Sequence, residues 1–289
     1  MNRRDGGFTI VELMVVVLII GVLVSIAVPV VASSRTRAAA SSCLASRTVV
    51  ERAAAQYRTT EGVGAPDLQA FVSSGLIKSL PKCPSGGVYV WHSGGADATA
   101  DSLLCSVHFA GSSQPLWASD WSNASLRRIL SGGWTLVNGQ LVPALSGGQM
   151  LFTTPSPADF RLEADATLSS GSGYGIYFRS TAGANGRLSG YAFQFDPGLG
   201  NKFVVRKVVN GVESGLIAVS SMPAGFPIYG SAHHTTITTI GTHTVIKVDG
   251  VPVLDFVDAT FGSGQAGLRS WGSSKVGVSG VSVYGATAP

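Results

Sequence analysis

The sequence predicts an α+β chain in two unequal parts: a long N-terminal helix carrying a small sheet, followed by an all-β sandwich. Three observations predict it. Residues 13–31 are nineteen consecutive positions without an ionisable side chain. Beyond residue 117, short runs of alternating apolar residues recur between Gly, Asn and Pro, the pattern of half-buried strands. Between the two parts, residues 112–116 read Ser-Ser-Gln-Pro-Leu, a linker composition.

Composition narrows the function classes. The 289 residues leave room for two domains. Charged residues are 12% against roughly 25% in an average soluble chain, while hydrophobic residues hold at 45%, which excludes intrinsic disorder. The net charge of +4 divides as 0 over residues 1–31, +2 over 32–115 and +2 over 116–289. With no basic run longer than the pairs Arg3-Arg4 and Arg127-Arg128, no specific nucleic-acid partner is predicted. No P-loop or Gly-x-Ser-x-Gly elbow is present, and no cofactor or metal is predicted.

The apolar run 13–31 is long enough at about 1.5 Å per residue to cross a bilayer. Arg3 and Arg4 precede it, which leaves the leader in the cytoplasm and sends the rest of the chain outward. Glu12 sits at its edge, where a lone carboxylate costs roughly 2.5–3.5 kcal/mol. Gly6-Gly7-Phe8-Thr9-Ile10-Val11-Glu12, followed by this run, resembles the prepilin signature of the type IV pilin and pseudopilin family. The resemblance implies that a prepilin peptidase removes leader residues 1–7 by cutting between Gly7 and Phe8, and that Phe8 is then N-methylated. It implies that Glu12 neutralises the α-amino group of a neighbouring subunit during assembly. Other pilin subunits and an inner-membrane assembly platform are the implied partners. The implied course runs from a single-pass cytoplasmic membrane protein to an extracellular filament. A conventional signal peptide cut before Ser33 is the alternative, and it explains neither Gly7 nor Glu12.

One helix is expected over 8–61, since Ala39, Cys43, Val50, Ala54 and Tyr57 fall at helical spacing. Pro29, with Gly21 nearby, is expected to kink or loosen it. Gly62 to Pro66 should end it, with a short second helix at 67–72 closed by Gly75. A small β region follows over 80–110, completing a pilin domain of residues 8–111. Leu80 to Trp91 and Cys105-Ser106-Val107-His108 resemble the C-terminal part of simple pilins, where two cysteines frame a hairpin sheet. The favoured reading is a disulfide between Cys83 and Cys105, worth roughly 3 kcal/mol on the chain-entropy model. Metal binding with His92 and His108 is the alternative, although neither C-x-x-C nor H-x-x-x-H appears. Cys43 reads as a small buried hydrophobe.

Strands are expected at 160–168, 175–179, 191–196, 203–209, 235–240, 243–248, 251–256 and 276–284, with Asp249-Gly250 as a type I′ hairpin turn. Gly133-Trp134-Thr135-Leu136-Val137-Asn138-Gly139, Gly175-Ile176-Tyr177-Phe178-Arg179 and Gly264-Gln265-Ala266-Gly267-Leu268 look like the concanavalin A-like lectin/glucanase fold in its laminin G-like versions, covering the module 117–289. Alternation places Phe160, Leu162, Ala164, Ile176, Phe178, Tyr191, Phe193 and Phe195 in the core. The opposite positions, Arg161, Glu163, Asp165, Tyr177, Arg179, Gln194 and Asp196, would then share an outward face able to read sugar hydroxyls. Trp271 would border it. The glycan-binding candidates are Tyr177, Arg179, Gln194, Asp196 and Trp271, against the plainer reading of a solvated sheet face. Glucanases of this fold use an E-x-D-x-x-E strand, whereas Glu163-Ala164-Asp165 is followed by Ala-Thr-Leu, so no enzyme is expected. The expected function is a pilus or pseudopilus subunit displaying a lectin-like module for adhesion. The alternatives are a pilin-anchored glycan hydrolase and a pseudopilin whose sandwich is purely structural.

Overall fold

The computed structural model describes residues 10–93, 102–108, 114–144 and 147–285, with the side chains of 22–33, 36, 37 and 92 outside that description. Helix α1 spans Ile10–Glu61 and is continuous past Gly21 and Pro29. It ends where Gly62 takes φ +74° and its N–H reaches Arg58 O at 2.9 Å, a glycine stop. Among the described residues no helix is long and apolar enough to cross a membrane. The expected span 13–31 lies partly outside the described side chains, and Gly7 and Phe8 lie outside the described residues altogether. The described apolar side chains from Ile10 to Ile20 are exposed.

The outer half of α1 packs a small unit. Helix α2, Leu68–Ser73, is capped by Asp67, whose carboxylate accepts from Ala70 N–H at 2.9 Å. Strands β1 (Tyr89–His92) and β2 (Ser102–Cys105) pair antiparallel. Val50, Ala53, Ala54, Ala65, Phe71 and Leu103 form the core. Edge-to-face contacts of Phe71 with Tyr57 at 5.9 Å and with Trp91 at 5.1 Å extend it. Cys83 and Cys105 come together here, both buried and both free thiols, and Cys43 of α1 joins them.

The remaining strands are β3 (Trp117–Ala118), β4 (Arg127–Ser131), β5 (Trp134–Val137), β6 (Gln140–Pro143), β7 (Gln149–Phe152), β8 (Phe160–Ser170), β9 (Tyr174–Ala182) and β10 (Leu188–Asp196). They continue with β11 (Lys202–Val209), β12 (Val212–Ser221), β13 (Ala232–Ile240), β14 (His243–Val248), β15 (Val251–Val257), β16 (Gln265–Ser270) and β17 (Lys275–Gly285). They form a seven-stranded sheet, β12-β11-β10-β9-β16-β7-β4, and an eight-stranded one, β15-β14-β13-β8-β17-β6-β5 with β3 on β17. Asp249-Gly250 turns β14 into β15 with both φ values positive, and Asn138-Gly139 and Asn210-Gly211 do the same for their hairpins, as type I′ turns require. Between the sheets lies the core, where all eight expected core residues are buried, joined by Phe203, Ile237, Ile246, Leu268 and Val283. Stacked pairs Tyr174–Phe195 and Phe178–Tyr191, each with centroids 5.2 Å apart, line its seven-stranded side.

Two expectations about the outward face are corrected. Strand β8 belongs to the eight-stranded sheet, while β9 and β10 belong to the other. Arg161, Glu163 and Asp165 therefore lie on the opposite side of the sandwich from Tyr177 and Gln194. The crossover is made at Gly171 and Gly173, with φ of +104° and +138°, where added Cβ atoms would meet Ser274 Cα at 2.4 Å and Phe195 O at 2.3 Å. Arg179 is the second correction. Its φ is +47° beside a bulge at Gly190, which breaks the strict alternation, and its side chain is only 3% exposed. The guanidinium donates to Phe261 O at 3.1 Å, Ala158 O at 2.5 Å and Gly241 O at 2.7 Å. Asp159, 3.9 Å away, balances its charge and accepts from Gly241 N–H. Arg179 thus ties three loops together at one end of the sandwich, and is not a surface ligand.

Asp258 completes that end. Its carboxylate accepts from Tyr191 OH at 2.7 Å, Thr260 N–H at 2.9 Å and Lys207 Nζ at 2.6 Å. Burial pushes its pKa up, but the hydrogen bonds from Lys207, Thr260 and Tyr191 outweigh burial and hold it well below the usual carboxylate range.

Arg179→Met is expected to destabilise the sandwich by about 3–5 kcal/mol, since it removes the counter-charge of Asp159 and the donor to three carbonyls; chemical denaturation checks this, and parental stability would refute the clamp. A depressed folded pKa at Asp258 contributes stability that is present above the unfolded carboxylate value of about 4 and lost as pH falls below it. Stability measured from pH 7 to pH 2 should therefore fall less steeply in Asp258→Asn than in the parent.

Candidate functional site

The outward side of the seven-stranded sheet carries an interlocked polar network. Alternation sets it: with Phe203 and Val205 turned inward on β11, Arg206 turns outward, and with Ala266 and Leu268 inward on β16, Arg269 turns outward. The register places Arg269 opposite Gly175 on β9, where an added Cβ would meet Arg269 Cγ at 2.7 Å. Glycine there lets the arginine lie down across the sheet.

Four side chains interlock. Gln194 Nε2 donates to Glu213 Oε1 at 2.9 Å, and Arg206 Nε donates to Gln194 Oε1 at 3.3 Å. Arg206 lies 3.8 Å from Glu213, and Arg269 is also ion-paired to Glu213. The Arg269 guanidinium lies over the rings of Trp271 at 4.8 Å and Tyr177 at 6.0 Å, a cation–π arrangement. Burial lowers the pKa of Arg269, opposed by Tyr177 and Asp196, and a guanidinium remains charged throughout the physiological range. Burial raises the Tyr177 pKa, opposed by the charge of Arg269. Planar donors, a carboxylate and a half-buried indole in one patch can bind hydroxyl groups through several directed hydrogen bonds and one apolar contact.

The expected candidates divide on this face. Gln194 belongs to the network, but its side chain is buried within it. Tyr177 is buried beneath Arg269, in an apolar cluster with Leu151, Leu188, Ala192 and Val208. Asp196 accepts from Leu199 N–H at 3.0 Å and so starts the short turn that follows β10. Burial raises its carboxyl pKa, against the hydrogen bond of Leu199 and the charges of Arg206 and Arg269. Trp271 lies beside Arg269 of the patch and packs against Gly173. Arg206, Glu213 and Arg269 escaped the sequence reading, although the alternation that located Gln194 also marks Arg206 and Arg269 as outward.

The carboxylates of β8 are engaged elsewhere: Arg161 Nε lies 2.9 Å from Glu163, and His234 Nδ1 lies 2.8 Å from Asp165. Glu213 is held by two arginines and an amide.

Comparison with known proteins gives the two parts separate relatives. Residues 2–28 match the prokaryotic N-terminal methylation motif, and residues 113–279 match the 3-keto-alpha-glucoside-1,2-lyase-like domain. The type II secretion system core protein G of Vibrio cholerae is 32% identical over 114 residues, 34% of this chain and 78% of that protein. A levanase of Bacillus subtilis is 31% identical over 155 residues, 50% of this chain but 22% of that protein. Among solved structures, the carbohydrate-binding module CBM66 from Bacillus subtilis superposes with a TM-score of 0.48 at 22% identity, covering 55% of this chain and 95% of that one. The chain therefore belongs, in its N-terminal part, to the type II secretion core protein G family of pseudopilins and, over residues 113–279, to the 3-keto-alpha-glucoside-1,2-lyase-like domain family.

Proposed function

We propose that this protein is a filament subunit of the pilus or pseudopilus type that carries a carbohydrate-binding module outward for attachment to glycans. The Arg269–Glu213–Arg206–Gln194 network beside Trp271 is the observation that carries the glycan reading, because its chemistry suits hydroxyl recognition. The similarity to a levanase over half of the chain supports the same class of ligand.

In this reading residues 1–7 are a leader, 8–111 the pilin domain, 112–116 a linker and 117–289 the module. The methylation motif over 2–28 supports cleavage at Gly7-Phe8 by a prepilin peptidase, methylation of Phe8, and a membrane span over 13–31 before assembly. The exposed apolar side chains from Ile10 to Ile20 need a covering surface, which equivalent helices of neighbouring subunits would supply. Glu12 would pair with a neighbour's α-amino group, removing the cost of two lone buried charges. Handover passes through an inner-membrane assembly platform, and the filament places the module outside the cell.

A pilin-anchored glycan-processing enzyme is the second reading, favoured by the lyase-like family description. Binding is preferred because Glu213 is locked in ion pairs, whereas acid–base cleavage of a glycosidic bond uses two carboxyl groups free to exchange protons.

Levan titrated into the detergent-solubilised full chain, with a glycan array in parallel, should bind saturably and release no sugar; released product would establish the enzyme. Arg206→Ala and Glu213→Gln should each weaken that binding by about 1–3 kcal/mol while melting like the parent. Parental affinity in both would move the site off this face. Mass spectrometry of the mature protein should find N-methylated Phe8 first; a terminus at Ser33 would rule out pilin-type processing. Glu12→Val should still insert in the membrane yet enter filaments poorly, as read by the sheared-filament fraction.

A further inference from the structure

We propose that Cys43, Cys83, Cys105 and His108 form a tetrahedral Cys3His site for zinc, which fastens the outer half of α1 to the β1–β2 hairpin. Three separate stretches of chain deliver these residues to one point. Their ligand atoms all lie within 4.8 Å of one another. A tetrahedral zinc with Zn–S near ~2.3 Å and Zn–N near ~2.0 Å sets sulfurs about 3.8 Å apart and sulfur and nitrogen about 3.5 Å apart. The His108 Nδ1 atom lies 3.3 Å from Cys83 Sγ and 3.9 Å from Cys105 Sγ, so a small contraction closes the shell.

The surroundings are those of a metal site. Ser85 Oγ lies 3.4 Å from His108 Nε2, where it can fix the ring while Nδ1 faces the sulfurs. Tyr89 OH donates to Cys43 Sγ at 3.3 Å, and His108 N–H donates to Cys105 Sγ at 3.5 Å. Both bonds strengthen when the acceptors are thiolates. Gly87 stands beside the cluster, where a Cβ would come within 2.7 Å of Cys105 Sγ and 3.2 Å of Cys83 Sγ. Lys247 donates to Val107 O at 3.1 Å, which brings a cation towards a centre whose three thiolates and one zinc carry a net charge of −1.

A Cys83–Cys105 disulfide would use two of these groups and leave unexplained why Cys43 and His108 Nδ1 meet the same point. The sequence contains the signal in part: Cys105-Ser106-Val107-His108 is a close C-x-x-H pair, while Cys43 is distant in sequence and joins only through the fold. The core of the small unit among the described residues is built on Val50, Ala53, Ala54, Ala65, Phe71 and Leu103, a scale at which a metal is a common staple. The site also lies at the junction with the sandwich, since Ser106, between two of the ligands, is hydrogen-bonded to His243 Nδ1 at 2.6 Å.

The test uses the full chain in detergent, reduced and titrated anaerobically with zinc and, separately, cobalt(II). Expected are one zinc per chain by mass spectrometry of metal content, and cobalt spectra with thiolate charge-transfer bands and intense tetrahedral d–d bands. Cys43→Ser and His108→Ala should each lower zinc affinity at least a hundredfold. If Cys43→Ser fails to fold, the cobalt spectrum of the parent and His108→Ala still decide. Absence of stoichiometric metal, octahedral cobalt without sulfur bands, or parental affinity in the variants would overturn the site. Protein isolated without reductant that holds no zinc and has one alkylatable cysteine per chain would instead establish the disulfide.

Discussion

Everything on the sandwich surface follows from the meeting of two apolar sheet faces. Phe178, Phe193, Phe195 and Phe203 on one sheet and Leu162, Ile237, Ile246 and Val283 on the other are buried in a common core, each large side chain contributing about 1.5–3 kcal/mol on burial. Because side chains alternate, that demand fixes which residues face out. Arg206, Arg269 and Gln194 share an outer face because their neighbours Val205, Leu268, Phe193 and Phe195 share the inner one, and Glu213 reaches them from the edge strand β12.

The same constraint explains what was legible in the sequence. Period-two alternation identified the strands and their inward residues, and Asp249-Gly250 marked a tight hairpin that the structure confirms in its dihedrals. Alternation does not report which sheet a strand joins. Strands β8 and β9 are consecutive in sequence but lie in different sheets, so Glu163 and Tyr177 point away from one another. Arg179 failed for a local reason: a positive φ next to a bulge aims its side chain into the loops. Cys43 is buried, as its place on the helical stripe implies, but the stripe does not report that the hairpin brings Cys83 and Cys105 to it.

In the proposed function, a hydroxyl-reading face on a helix-anchored subunit would join two physical solutions. The exposed apolar side chains from Ile10 to Ile20 would suit lateral packing with copies of the helix, and the sandwich, tied by Ser106–His243 and Lys247–Val107 contacts to the small unit, is held at the far end of that helix. A filament of such subunits would present many copies of one shallow polar site. Weak individual binding then becomes strong attachment through effective concentration.

Hydrogen–deuterium exchange of the full chain, with and without a saturating glycan, tests the central claim most directly. The account predicts slowed exchange confined to residues 206–213 and 265–271 of the seven-stranded sheet, with β13, β14 and β15 unchanged. Protection on the eight-stranded sheet instead, or none on the seven-stranded one, would contradict it.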